Sequence, residues 1–328
     1  MNCLESRCIE RSALLETLAK ALPDGSIRFN SKLVSIHKKA GSPFTTLELA
    51  DGASITAKIV IGCEGVHSVV ARWIGLETAK PSGRVAFRGM ATFPEGHHTI
   101  EEKMVIIMGK GVRAGFIPCT DKQIYWFITR KLQPEDADVS CDPETLRCAA
   151  LEAVRDFPEP IGEFIKCSSA DTFSFADLKM RWFWPWEWDK KAKGRGSVTL
   201  VGDALHPMMP DLGQGACSAL EDAVVLARCL SASNINAEDI NWGEEEERKI
   251  EECFKKYAEA RKWRVLGMTG GAFLAGNVMD GYSSFLRLVR EWFWLPVISM
   301  SYIPYFAASD CGTLPLQSTP AHSHAHKL

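Results

Sequence analysis

The stretch SVTLVGDALHPMMPDLGQGACSALEDAVVLA, Ser197 to Ala227, decides the fold. An apolar strand, VTLV, stops at Gly202-Asp203. Prolines follow at 207 and 210, and Gly213-Gln214-Gly215 opens a long apolar helical pattern. A strand that delivers a carboxylate to its C-terminal end is the ligand-binding arrangement of parallel α/β sheets. Asp203 in that place can accept hydrogen bonds from a polyol or ribose hydroxyl. Pro207 and Pro210 stiffen the loop and remove two N–H donors. Gly213 and Gly215 let the backbone approach something flat, while the helix N-terminus offers unpaired N–H groups and a partial positive charge. These parts suit a cofactor with a hydroxylated chain and a ring that becomes anionic. An isolated Gly-Asp is more often a helix cap closing a strand-to-helix loop; the full spacing favours the ligand.

Working outward, RSALLETLAKAL has helical periodicity with Ser12 as its N-cap, and SIRFNSKLVSIHKK, FTTLELADG and SITAKIVIGCEG read as strands with a turn at Asp51-Gly52. Residues 59–62 form a continuous apolar strand end of the kind buried in an α/β sheet. From Gly83 to Arg130 short strands follow one another without helices, which marks a second domain. DPETLRCAALEAVRDF is a helix with Asp142 at N-cap and Pro143 at N1. The cluster RWFWPWEWDKKAKGRG reads as an aromatic plug between domains, favoured over a stacking surface for nucleic acid. WGEEEERKIEECFKKYAEARKWRVLGMTGGAFLAG is one long helix, its four Glu-to-base pairs at i,i+4 (Glu244/Arg248, Glu245/Lys249, Glu251/Lys255, Glu252/Lys256) describing a solvated face. Trp292 to Ser309 runs without a charge but is broken by Pro296 and Pro304. Packing against the protein is favoured for it, with an interfacial membrane contact second and a true span third. The tail QSTPAHSHAHKL is polar and expected to be disordered.

At 328 residues and 46% hydrophobic the chain can bury a sizeable core, and a net charge of −3 leaves no electrostatic footprint for nucleic acid. Its 11 cysteines form no CxxC pair and no metal-ligand spacing, so no metal is expected. They read as separate reduced thiols in a cytoplasmic chain, with an organelle left open.

The residues 197–227 resemble the second flavin-binding motif of the FAD-dependent aromatic hydroxylases, the class A flavoprotein monooxygenases of the para-hydroxybenzoate hydroxylase type. AKIVIGCEGVHSVVARWIGL is similar to their middle motif, RCIERSALLETL to the segment whose Arg approaches the flavin, and KYAEARKWR (Tyr257, Arg261, Arg264) to the helix after the second motif. The plant monooxygenase 1-like branch is the nearest in character. The resemblance implies FAD as cofactor and NAD(P)H as co-substrate. O₂ would be cleaved through a flavin C4a-hydroperoxide, and a small aromatic or other electron-rich substrate hydroxylated. It places Asp203 on the ribityl chain and Pro210, Gly213, Gln214 and Gly215 beside the isoalloxazine. It places Arg7 and Arg11 near the phosphates or ribityl chain, and Glu64 and Gly65 in the middle motif. Glu64 stands where the family has Asp, and Arg72 is displaced from the motif's closing basic position. Arg88, Phe116, Tyr125 and Phe127 are candidates for the substrate pocket.

The family's opening strand–GxGxxG–helix unit has no counterpart in this sequence. The expectation is therefore an incomplete Rossmann-like FAD-binding domain in an N-terminally truncated chain. It would comprise residues 1–82, an inserted substrate-binding β-sheet domain (83–194), the continued FAD-binding domain (195–275), a C-terminal helical and apolar segment (276–317) and a tail (318–328). Two other readings stand beside the hydroxylase. One is a non-catalytic relative without FAD that at most binds a partner such as a full-length homologue. The other is a flavin epoxidase or reductase acting on an isoprenoid lipid.

Overall fold

A computed structural model describes residues 8–97, 103–109, 111–134, 136, 142–233, 235, 242–281, 285, 288, 292 and 310–312. The chain opens with helix α1 (Arg11–Lys20), whose N-cap is Glu10; Ser12, expected in that role, lies inside the helix and donates to the Glu10 carboxylate at 2.5 Å. No residue of α1 is buried. Strands β1 (Leu33–His37), β2 (Thr45–Leu49) and β3 (Ser54–Ala57) make a three-stranded antiparallel sheet. Gly52 at φ 82° makes the turn expected at Asp51-Gly52.

β4 (Val60–Gly62) then pairs in parallel with β10 (Val198–Leu200), Val60 opposite Val198 and Gly62 opposite Leu200. This parallel pair brings together two sequence motifs 138 residues apart in register. Val60 and Gly62 are buried, but Ile61 between them keeps 39% of its surface. Around the pair lies the first core: Val70 and Ala71 of α2 (Val69–Ile74), Trp188 of α5 (Pro185–Lys191), Leu226 of α6 (Gly215–Ser231), and Phe254, Tyr257 and Val265 of α7 (Glu244–Asp280).

The second body is a five-stranded antiparallel sheet in the order β6-β7-β8-β5-β9, made of β5 (Lys80–Thr92), β6 (Val105–Met108), β7 (Val112–Pro118), β8 (Gln123–Lys131) and β9 (Ser174–Met180). Alternation along these strands gives the sheet two faces. Phe87, Ile124, Trp126 and Ile128 point one way and are covered by Leu146 of α3 (Pro143–Ala153) and Ile161, Phe164 and Ile165 of α4 (Glu159–Lys166). Gly89 has no side chain because a Cβ there would stand 2.5 Å from the Trp126 ring. The other face looks toward the first body through Ala86, Leu178 and Met180, which pack with Met209 and Ala272. Asp142 caps α3 through the Thr145 amide at 2.9 Å, as its sequence required.

The aromatic cluster divides. Trp188 is fully buried and donates to the Ala258 carbonyl at 2.8 Å, and Phe183 packs edge-on against it. Trp182, Trp184 and Trp186 are exposed, the last two stacked in parallel at 5.2 Å. Only half of the expected plug is therefore a plug. Of the four Glu-to-base pairs on α7, Glu245–Lys249 closes at 3.5 Å. Beyond Trp292 the charge-free segment and the polar tail lie outside the described residues, apart from 310–312. Among the described residues no helix is long and apolar enough to cross a membrane. Trp188→Ala is expected to lower unfolding stability by about 3–5 kcal/mol, as for other buried aromatics, with Trp186→Ala within about 0.5 kcal/mol of the parent. Chemical denaturation checks the contrast; equal losses would place the plug elsewhere.

Candidate functional site

The loop after β10 is built around one buried carboxylate. Asp222, on α6, accepts from the Gly202 amide at 2.8 Å, bonds His206 Nε2 at 2.6 Å, and accepts from Arg261 Nε at 2.7 Å. Arg261 also reaches the Ser218 hydroxyl at 3.1 Å and Glu221 at 2.7 Å, and Glu221 pairs in turn with Arg264 at 2.8 Å. Tyr257 closes the group by donating to the Leu200 carbonyl at 3.3 Å. Burial alone would raise the Asp222 carboxyl, but the His206 ring, Arg261 and the Gly202 amide together hold it below the usual range. Strand end, loop, α6 and α7 are thus tied at one point. His206 is buried within this network.

The loop's carbonyls have their own partner. Arg181, at the end of the aromatic stretch's N-terminal strand, donates to the Ala204 and Leu205 carbonyls at 2.7 and 2.8 Å and to the Glu77 carbonyl at 2.9 Å. Gly202, at φ 57°, lets the backbone pass Ala219 of α6; a Cβ there would meet the Ala219 methyl at 3.0 Å.

With its underside held, the loop turns its upper side outward. Asp203 is exposed and makes no hydrogen bond to protein among the described residues. The surrounding wall still desolvates it enough to raise its carboxyl, against the opposing influence of His206. Pro210 opens a one-turn 3-10 helix that ends at Gly213 in the left-handed region at φ 64°. Gln214 is the N-cap of α6 and uses no side-chain bond, so the first amides of the helix are not capped by a side chain. Nothing stands within 4 Å of a Cβ placed on Gly213 or Gly215. A flat ring can lie against this backbone, with Asp203 beside it for hydroxyls; these residues fit a flavin.

The middle motif is adjacent. Gly65–His67 packs beside Gly202–Ala204, and Gly65 takes φ 79°. Glu64 turns back on its own helix: it accepts from Ser68 Oγ at 2.9 Å and from the Val70 amide at 3.2 Å, while Ser68 caps Ala71. Arg11 is exposed at the first position of α1, and Arg7 lies outside the described residues.

On the sheet, Arg88 pairs with Phe127 across β5 and β8, and Met90 with Tyr125, so Arg88, Tyr125 and Phe127 share the face turned toward the loop. Phe116 does not join them. It pairs with Trp126 and packs edge-on against Phe164 at 4.9 Å, on the helix-covered face, because β7 alternates and its loop-facing positions are Arg113, Gly115 and Ile117.

That loop-facing side carries a second buried network. Arg84 Nη1 donates to both Asp211 oxygens at 3.0 Å and its Nε lies 2.9 Å from Asp280, while Arg113 pairs with Asp211 and both guanidiniums reach Thr129 Oγ1. Asp211 belongs to the 3-10 turn of the loop, Asp280 to the last turn of α7, and the two arginines to the sheet. The four residues therefore clamp the loop to the sheet face. Sequence reasoning passed over this clamp and Asp222. The visible signals were an acidic pair, Glu221-Asp222, inside an apolar helix, and arginines at alternating apolar strand positions.

Residues 10–239 match the family model described as FAD binding domain. The chain is a member of the FAD-dependent monooxygenases. It is 38% identical over 314 residues to Monooxygenase 2 of Arabidopsis thaliana, covering 94% of this chain and 75% of that protein. With Monooxygenase 1 of the same plant it shares 35% over 311 residues, 94% and 77% of the two chains. Its fold is similar to that of Klebsiella pneumoniae HpxO complexed with FAD and uric acid, at TM-score 0.70 and 21% identity, over 89% of this chain and 70% of that one. The resemblance drawn from the four motifs is thereby the family of this chain, and FAD is its cofactor.

Two outcomes follow for this monooxygenase. Because the folded Asp222 titrates below its unfolded value, its contribution is complete above about pH 4 and lost as pH falls through the folded value. Asp222→Ala strands Arg261 and should cost about 3 kcal/mol at neutral pH, a difference that narrows below about pH 4 in acid-unfolding curves. Asp203 behaves oppositely: its raised carboxyl makes the charged form a liability to the fold as pH rises past the ordinary carboxylate range. Asp203→Asn is expected to raise the melting temperature of the flavin-free protein at pH 7 while reducing FAD retention. A variant that melts lower without flavin contradicts this.

Proposed function

We propose that this monooxygenase uses NAD(P)H and O₂ to hydroxylate a small aromatic or other electron-rich molecule seated between the 203–215 loop and the sheet face bearing Arg88, Tyr125 and Phe127. The observation that supports this reading most is the Arg84/Arg113–Asp211/Asp280 clamp, which fixes the flavin-binding loop against that particular face. When bound, FAD supplies the electron transfer and oxygen activation.

The chain's own residues do the rest. Asp203 accepts hydrogen bonds from the flavin's hydroxylated chain. The first amides of α6 and the dipole behind them favour negative charge at the ring end lying against Gly213–Gly215, an effect of fixed dipoles that needs no general base. Tyr125 and Phe127, tilted at 34° with centroids 6.4 Å apart, offer aromatic walls. Burial pushes the Tyr125 phenol up, more than the Arg88 guanidinium draws it down, so it stays a neutral donor at physiological pH. Arg88 supplies a cation for an acidic substituent on the substrate.

The test begins with the visible absorption of the purified chain before and after excess FAD and desalting. Retained flavin bands, followed by NAD(P)H oxidation that phenols or benzoates accelerate, are the expected results. Tyr125→Ala and Phe127→Ala should then raise KM for the aromatic several-fold with flavin content unchanged. A protein that stays colourless, or turnover accelerated by isoprenoid lipids and not by phenols, would overturn the proposal.

A further inference from the structure

Eleven cysteines spaced singly in the sequence suggest isolated thiols, yet the fold brings two of them into contact. Cys8, just before α1, and Cys119, at the hairpin between β7 and β8, are 111 residues apart and have their sulfurs 2.8 Å from one another. Both are half-buried. That separation is less than an ångström longer than the ~2.05 Å of a disulfide. The two sides of the contact are unequal in rigidity. Cys119 sits on a hairpin closed by its own amide on the Gln123 carbonyl at 2.8 Å, in register with the sheet. Cys8 belongs to a segment whose helix, α1, buries no residue and exposes Ile9, Leu15 and Leu18 nearby. The thiol contact is thus the attachment of a loosely held element to a firm one.

The geometry points to Cys8 and Cys119 as a dithiol–disulfide modification site that, on oxidation by a peroxide, staples the segment leading into α1 to the β7–β8 hairpin. The chemistry balances without further components than hydrogen peroxide. One thiol loses its proton and its sulfur takes oxygen from the peroxide, breaking the O–O bond and releasing water. The neighbouring sulfur then displaces the resulting sulfenic hydroxyl as a second water. Two thiols are oxidised by two electrons, and the peroxide is reduced to water. Burial first, then the hydrogen bond to Cys119 and its charge, push the Cys8 thiol up to about 12, so Cys8 holds its proton at rest. A thiol of high pKa is a poor leaving group, which makes the closed form slow to reopen.

The pair is unlike the other cysteines. Among the described residues no second pair of thiols lies in hydrogen-bonding contact: Cys63, Cys148, Cys167 and Cys217 are exposed at separate places, and Cys229 and Cys253 line the cleft between α6 and α7 without a bond between them. The proposal does not depend on substrate or flavin chemistry, and its readout is covalent.

The test is peroxide treatment of the full chain, alkylation of the remaining thiols, denaturation and tryptic mapping. The expected product links CIER (residues 8–11) to AGFIPCTDK (residues 114–122), with a mass 2 Da below the sum of the two peptides, and disappears on reduction. Native trypsin cleavage after Arg11 and Lys20 should slow by roughly tenfold in the oxidised protein, because opening of α1 then requires release of the staple. Cys8→Ser and Cys119→Ser should each abolish both effects while melting like the reduced parent. Cross-links that scatter over other cysteines, or an unlinked Cys8 peptide after oxidation of all exposed thiols, would overturn the assignment. So would slowed cleavage that persists in Cys119→Ser.

Discussion

The structure depends on one carboxylate taken out of water. Asp222 loses its hydration on α6 and is repaid by the Gly202 amide, the His206 ring and the Arg261 guanidinium. A charge so placed is costly unless every lone pair finds a donor. Here the donors come from three different elements, so the requirement to satisfy the carboxylate is also a requirement that the end of β10, the loop and α7 meet at one point. What the loop shows on its other side follows from this. Held from beneath at Gly202 and His206, and by its carbonyls through Arg181, it is free to turn Asp203, Gly213 and Gly215 outward.

A second ionic network does for the domain boundary what the first does for the loop. Arg84 and Arg113 rise from the sheet between Asp211 of the loop and Asp280 at the end of α7. An apolar contact of the same area would resist separation as well or better, but it would tolerate sliding. Hydrogen-bonded guanidinium–carboxylate pairs set direction as well as distance. In this fold these pairs set which sheet face looks at the 203–215 loop, and that explains why Arg88, Tyr125 and Phe127, on the same alternating positions as Arg84 and Thr129, belong to the proposed substrate side.

The parallel pairing of β4 with β10 brings two distant stretches of the chain together. Gly62 can lie beside Leu200 and Val70 only because it has no side chain; a Cβ there would stand 2.7 Å from each. The close approach puts the Gly65 turn against the Gly202 turn. Both turns use left-handed glycines, at φ 79° and 57°, a conformation that costs other residues about 1 kcal/mol or more. Glu64 turns onto the start of α2, with hydrogen bonds that leave one edge of the motif engaged in local structure.

What the sequence by itself determined is the local grammar. The strand ending at Gly202-Asp203, the glycines before an apolar helix, the Asp142-Pro143 helix start and the Asp51-Gly52 turn are all consequences of backbone preferences that act within a few residues, and they appear where the sequence puts them. The family was legible for the same reason, since its motifs are short runs with fixed spacing. Tertiary structure decided the rest. Phe116 and Phe127 look alike in sequence, but strand register sends one into the helix-covered core and the other to the loop. Of the tryptophans in RWFWPWEWDKK, only Trp188 finds a cavity and a carbonyl partner. Asp222, Asp211 and Arg84 carry no motif because their partners are 16 to 196 residues away. The Cys8–Cys119 contact spans 111 residues, a distance over which spacing holds no information. Buried charge and thiol contacts are satisfied by whatever the folded chain brings within 3 Å, and only the folded chain shows what that is.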